Sequence, residues 1–351
     1  MSFPRVGIVG LGLIGGSLAK LIREVFPDTN IVGVSRNQSA CTQAIADGVL
    51  SAANTEISVL ADRDLVFVAT PIETIVDTVK ALQEILSPSA IVTDVASVKG
   101  DIVASLSASA SPRQKEGVSK GLRPLDPVCG EAAGGSVFDE ATVGSVFGEA
   151  ALNPVCGEAA GVQGAQPLDP KILFSEAKPR KKALFIGGHP MAGKETTGYA
   201  ASEAKMLIGA TYVLMPSTDP RHQVFEAYLK NLKFRVVTMS PEDHDEAVAL
   251  ASHGPYVMAC LTAGSLLKSP YADAGKQLIS SGFRDTTRVA CSPAEWGTAV
   301  CLDNADAVLG FLQSVSADIG TLSALIRAQD AAALTLYFET IAVHRRGLFP
   351  V

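Results

Sequence analysis

Six residues near the N-terminus, Gly10-Leu11-Gly12-Leu13-Ile14-Gly15, restrict the fold more than any other part of the chain. They follow the apolar run Val6-Gly7-Ile8-Val9 directly. After them apolar residues recur at helical spacing, at Leu13, Ile14, Leu18, Leu21, Ile22 and Val25. Strand, GxGxxG and helix in that order form a dinucleotide-binding fingerprint. The glycines permit a tight turn and let the helix N-terminus approach a pyrophosphate. Gly10, Leu11, Gly12, Leu13, Ile14 and Gly15 are therefore the expected cofactor cradle.

A second apolar strand, 31–34, ends in Ser35-Arg36. A site for NAD usually carries Asp or Glu at this point, to hold the ribose 2′-hydroxyl. A hydroxyl and a guanidinium suit a 2′-phosphate instead, which Arg36 can pair in a charge-assisted way. A solvated surface arginine is the competing reading; the expected cofactor is NADP. Runs 65–71 and 90–95 read as buried strands, the first ending in Thr70 and Pro71 beside the cofactor. Runs 183–188 and 212–215 resume the pattern, so the sheet is expected to continue across the segment between.

That segment, 107–182, differs in composition. PVCGEAAG occurs at 127–134 and at 154–161, PLDP at 124–127 and at 167–170, and GSVF recurs at 135 and 144. Gly, Ala, Ser and Pro make up 35 of its 76 residues and only three are aromatic. It lacks the apolar surface needed to offset its ordering entropy, which predicts a disordered, low-complexity insertion or a partner-binding segment. Its nine Lys/Arg and nine Asp/Glu cancel, so the net charge of −7 belongs to the remainder.

The expected fold class is α/β, a Rossmann-type dinucleotide-binding domain (1–106 and 183–239) interrupted by the insertion. A C-terminal all-helical domain (240–351) follows. An acidic chain without a basic stripe argues against nucleic acid. No run of eighteen apolar residues occurs, which argues against a spanning helix. Six cysteines without a CxxC pair indicate neither a zinc site nor a disulfide scaffold. With a strand by Val6 and a last helix running to the end at Val351, neither a leader peptide nor an appended regulatory domain is expected. A cytoplasmic protein is expected.

Several stretches resemble one family. Asp94-Val95-Ala96-Ser97-Val98-Lys99 and His189-Pro190-Met191-Ala192-Gly193-Lys194-Glu195 are similar to the two signature loops of prephenate/arogenate dehydrogenases. His244-Asp245, Ser252-His253 and Gly282-Phe283-Arg284-Asp285-Thr286-Thr287-Arg288-Val289 match in order and spacing. The resemblance covers nearly all the chain outside 107–182 and is greatest to the cyanobacterial, NADP-using arogenate branch. It implies oxidative decarboxylation of arogenate to tyrosine, with His189 as base and Ser97 bonding the substrate hydroxyl. A packing role for His189, or a helix N-cap role for Ser97, is the structural alternative.

The resemblance also assigns Arg288 to a substrate carboxylate, with Arg284, His253 and Glu195 nearby. Arg284 could instead pair with Asp285, Glu195 could be a surface carboxylate, and His253 a satisfied interhelical histidine. Prephenate dehydrogenase giving 4-hydroxyphenylpyruvate is the nearest alternative, and a non-catalytic NADP-binding sensor or scaffold a more distant one.

Ser240-Pro241-Glu242-Asp243 reads as N-cap, N1 proline and acid, opening a long helix on which Asp245 and Ser252 share a face. Ser252-His253-Gly254-Pro255-Tyr256 lacks the final histidine of many prephenate-using members, and Gly254 should soften any kink. Helices are expected at 272–281, 294–302, 305–325 and 331–343, with homodimer contacts in this half. Trp296 falls near a family tryptophan or packs in the core.

Overall fold

A computed structural model describes residues 2–107 and 182–348. The segment read as a disordered insertion lies, apart from its two end residues, outside the described residues. Five strands precede it: β1 (Arg5–Val9), β2 (Asn30–Val34), β3 (Ala52–Asn54), β4 (Leu65–Val68) and β5 (Ile91–Asp94). β6 (Leu184–Ile186) follows it and pairs with β5. All six are parallel, in the order β3-β2-β1-β4-β5-β6. This is the doubly wound order, with β1 and β4 flanking the crevice where the strand order reverses.

Alternation along the strands builds both faces at once. Val6 and Ile8 of β1 and Phe67 of β4 enter one apolar cluster, while Val9, Val66 and Val68 enter the other. Helix α1 (Leu13–Val25) covers the first face with Leu18, Leu21 and Ile22, matching the predicted span. Helix α3 (Ile72–Ile85) covers the second with Ile75, Val79 and Leu82. The shorter α2 (Gln38–Ala46) and α4 (Gly100–Leu106) complete this half before the insertion.

The run 183–188 does not form one strand. After β6 the chain starts β7 (Gly188–Pro190), which joins a second sheet with β8 (Thr211–Leu214) and β9 (Arg235–Thr238). β7 runs antiparallel to β8, and β9 parallel to it. The large sheet thus continues across the insertion only as β6. A side chain at Gly188 would sit 2.4 Å from the Tyr212 hydroxyl, so glycine is what lets β7 lie against β8. Helix α5 (Arg221–Asn231) packs here through Phe225, Tyr228 and Leu229.

The helical half opens as predicted. Ser240 caps α6 (Pro241–Val248) by accepting the Asp243 N–H at 3.0 Å, with Pro241 in the first turn. A π-helical turn, Ala249–His253, joins α6 to α7 (Gly254–Lys268). Pro255 supplies no backbone N–H, and this wider turn accommodates the missing bond. Gly254 does not act as a softener. A Cβ there would meet the Ala249 carbonyl and the Phe311 ring, both at 2.6 Å, so the glycine marks close packing.

Further along are α8 (Ala272–Gln277), α9 (Ser281–Thr287), α10 (Ala294–Asp303), α11 (Ala305–Ala328) and α12 (Ala331–Leu348). Arg284 lies on α9. By length and composition α11 is apolar enough to cross a membrane, with mean hydropathy 1.3 over its best window. Counting apolar runs missed it because small, hydroxyl and a few charged residues interrupt the apolar ones. Asp306, Asp318 and Arg327 lie along it.

Candidate active site

The glycine motif has two parts with different physical reasons. Gly10 adopts φ 94°, and a Cβ there would lie 2.4 Å from the Ala69 carbonyl oxygen. A Cβ on Gly15 would lie 2.0 Å from the Gly10 carbonyl oxygen, so these glycines serve the protein's own packing. Gly12 does not: its φ is −91° and a Cβ would meet nothing within 4 Å. It precedes α1, whose first turn carries neither a side-chain cap nor an acid. Open space before uncapped N–H groups at a positive helix end fits an anionic diphosphate.

Leu11 is buried, and Leu13 and Ile14 are half-buried around this turn. Past β4, the Thr70 hydroxyl is buried with no hydrogen-bond partner, and Pro71 precedes α3. At the end of β2, the Ser35 hydroxyl accepts the Asn37 N–H at 3.2 Å, while Arg36 is exposed. An orphaned hydroxyl, an open glycine and an exposed guanidinium at one end of three parallel strands fit a dinucleotide.

Beyond the cradle the two halves meet at a buried polar cluster. His189, on β7, is 9% exposed, and His244 and His253 are fully buried. His189 Nδ1 lies 2.9 Å from His244 Nε2, and His244 Nδ1 lies 2.7 Å from Asp245 Oδ1. Asp245 also accepts the backbone N–H groups of Lys99 (2.8 Å) and Gly100 (2.7 Å). It therefore caps α4 from a different element. Ser97, half-buried in the bend after β5, caps no helix: α4 begins at Gly100, and its cap position is Lys99.

Lys99 is fully buried and paired with the fully buried Asp94. Asp94 also accepts the Gly188 N–H at 3.1 Å, tying the end of β5 to the start of β7. Burial pulls the Lys99 ammonium below its ordinary range, against the opposing pull of Asp94. Burial also pushes His189 well below the usual histidine value, and the Lys99 charge adds to this. At neutral pH His189 is an uncharged imidazole that can accept a proton.

Asn304 donates its amide N–H groups to the Asp245 carbonyl (2.8 Å) and to His253 Nδ1 (3.2 Å). His253 therefore carries its proton on Nε2, which is buried without a protein partner. Burial lowers its pKa to about 4, so this N–H belongs to a neutral ring. The seven-residue spacing paired Asp245 with Ser252. The π turn instead brings Asp245 and His253 to a common partner. Trp296 packs edge-on against His253 and Tyr256, with ring centroids 6.1 and 5.1 Å away.

Of the expected substrate residues, Arg288 and Glu195 come together as an exposed ion pair at 3.2 Å. Such a pair contributes little to stability and is readily exchanged for another carboxylate. Arg284 is exposed on α9. Asp94, Lys99, His244, Asp245 and Asn304 were not read as site residues from the sequence. The first four stand in the signature stretches, and that position was the available signal. Asn304, between α10 and α11, gave none.

Residues 18–143 and 173–238 match the family model described as prephenate dehydrogenase, nucleotide-binding domain. Residues 240–340 match prephenate dehydrogenase, dimerization domain. The chain belongs to the prephenate dehydrogenase family. The prephenate dehydrogenase of Bacillus subtilis (strain 168) is 26% identical over 97% of this chain and 75% of its own length. Synechocystis arogenate dehydrogenase superposes with a TM-score of 0.67 at 28% identity, covering 98% of this chain and 99% of its own. A prephenate dehydrogenase from A. aeolicus, solved with hydroxyphenyl propionate and NAD+, shares the fold with a TM-score of 0.72. Its identity is 24%, and the match covers 99% of both chains. The family expected from the signature loops is thus the family found.

Proposed function

We propose that this prephenate dehydrogenase family member oxidatively decarboxylates arogenate to tyrosine, with NADP as hydride acceptor. The observation that carries the chemistry is a buried, neutral His189 at the meeting of the two halves, tethered on one side by His244. In this reading His189 takes the proton of the substrate's ring hydroxyl, and Ser97 hydrogen-bonds the same hydroxyl. Arg288 releases Glu195 and pairs with a substrate carboxylate, with Arg284 as a second cation and His253 as a neutral donor. Loss of CO2 then aromatises the ring. Gly10, Leu11, Gly12, Leu13, Ile14, Gly15, Thr70 and Pro71 would hold the cofactor, with Ser35 and Arg36 on its 2′-phosphate. When bound, its nicotinamide supplies the hydride acceptor.

Tyr256 in place of a family histidine, together with the similarity to the Synechocystis enzyme, supports arogenate over prephenate. The relative from Bacillus subtilis favours a second reading, prephenate as substrate with 4-hydroxyphenylpyruvate as product. The proposal includes a cytoplasmic homodimer joined through the helical half, where Ile319, Ile326, Phe338 and Val343 are all more than half exposed.

Initial rates with arogenate and with prephenate, each with NADP and with NAD, test this. The highest kcat/KM is expected for arogenate with NADP. Arg36→Asp should move the cofactor preference at least tenfold towards NAD. No reduction of either cofactor with either substrate would sink the enzymatic reading, and an unchanged ratio in Arg36→Asp would remove the role of Arg36.

A further inference from the structure

We propose that His244 and Asp245 are positioning residues that fix the tautomer of His189, leaving its Nε2 as the lone-pair nitrogen that takes the substrate proton. This rests on the reading of His189 as the base. The Asp245 carboxylate is immobilised by the Lys99 and Gly100 N–H groups at 2.8 and 2.7 Å. A carboxylate can only accept, so His244 Nδ1, 2.7 Å from Oδ1, carries the proton of that bond. With that proton on Nδ1, the other nitrogen of the ring, Nε2, is left to accept. Its partner at 2.9 Å, His189 Nδ1, must be the donor. His189 Nε2 is left unprotonated, and among the described residues it has no hydrogen-bond partner.

Burial makes this assignment firm. His244 is fully buried and His189 is 9% exposed, so little water reaches the bond that sets the tautomer. The groups facing His189 come from several elements. Lys99 stands at the cap position of α4, paired with Asp94 at the end of β5; His244 and Asp245 lie on α6 and His253 on the π turn. Lys99 and Asp94 compensate each other as a pair. Asp245 is the remaining anion, and His244 connects it to His189. When the substrate O–H breaks and His189 Nε2–H forms, His189 becomes an imidazolium. It donates through Nδ1 to His244, whose other nitrogen is bound to Asp245. The proton stays on His189, and Asp245 remains ionised.

Four variants and one spectrum test the assignment. In full-length protein labelled with 15N-histidine, two-bond 15N–1H correlations should show the His189 proton on Nδ1, with the signal assigned by its loss in His189→Asn. His244→Phe removes the acceptor and should lower kcat about 100-fold, with KM and NADP affinity within about twofold. His244→Gln offers an amide carbonyl to the same N–H and should recover at least about tenfold of that loss. Asp245→Asn should move the acid limb of the kcat/KM profile down by about one pH unit or more, because the imidazolium loses its anion. A wild-type His189 protonated on Nε2, or a His244→Phe enzyme with unchanged kcat and pH profile, would overturn the relay. If His189→Asn itself turns over, the base reading falls and the relay with it. If His189→Asn is inactive while His244→Phe is unaffected, only the relay falls.

Discussion

In the sheet half, successive residues of β1 and β4 enter apolar clusters on opposite faces, and helices cover both. In the helical half, α8, α9 and α12 bury no residue, and the apolar cluster holds three buried side chains: Ala249, Ala307 and Val308. Both halves are rich in apolar residues, so composition does not separate them. Geometry does. A twisted parallel sheet exposes two faces that its own crossover helices can close. A row of helices presents one face inward and leaves the other for a partner, here the proposed second copy. The polar cluster around His189 lies where the two halves meet, so each half supplies part of the site the other needs.

The comparison breaks most visibly at the exposed face. Ile319→Glu with Ile326→Glu should convert the protein from dimer to monomer, with NADP affinity within about twofold of wild type because the sheet half closes its own core. Sedimentation velocity and a binding titration measure both. A dimer that persists would show that this face is not the one covered.

Acid should act next most strongly, and at the junction. His253 has a folded pKa near 4, below the unfolded value of about 6.5. The unfolded chain binds the proton first as pH falls, so stability is complete above about 6.5 and declines from there to about 4. The loss is about 3 kcal/mol from His253, with His189 adding in the same direction. Denaturant midpoints at pH 7 and pH 4.5 measure it. His253→Gln should flatten the slope, and an unchanged slope would contradict neutral burial.

Gly254→Ala places a methyl against Phe311 and the Ala249 carbonyl, and should cost about 1–3 kcal/mol. Had the glycine only softened the helix, alanine would stabilise it by about 1 kcal/mol. The sign of the change in thermal midpoint decides. The smallest effect is expected from replacing 107–182 with a short Gly/Ser linker. Loop-closure entropy changes slowly with length, so stability should move by less than about 2 kcal/mol with rates near normal. A large loss of activity would give the repeats a role in the enzyme.

Much of the sheet half was legible because its signals are local. The strand-glycine-helix order placed α1 at Leu13–Val25, and Ser240-Pro241 marked the start of α6, since caps and periodicities act within a few residues. The division of 183–188 between two sheets was not legible, because both strands read as one apolar run. Nor was the alignment of Asp245 with His253, because a π turn shifts the helical phase that spacing assumes. Asp245 capping α4 joins residues 146 apart in the chain, a distance no local pattern reports.

By itself, the sequence determined the strand-glycine-helix order at the N-terminus, the arginine after β2, the family and the matching stretches in which Ser97, His189 and Arg288 stand. Each depends on residue type at short spacing. Tertiary structure alone decided which groups meet. It buried Lys99 against Asp94, joined His189 to Asp245 through His244, turned the His253 N–H free and paired Arg288 with Glu195. A proton's position on an imidazole depends on the group hydrogen-bonded to the ring's other nitrogen, and for His189 and His253 folding supplies that group from distant parts of the chain.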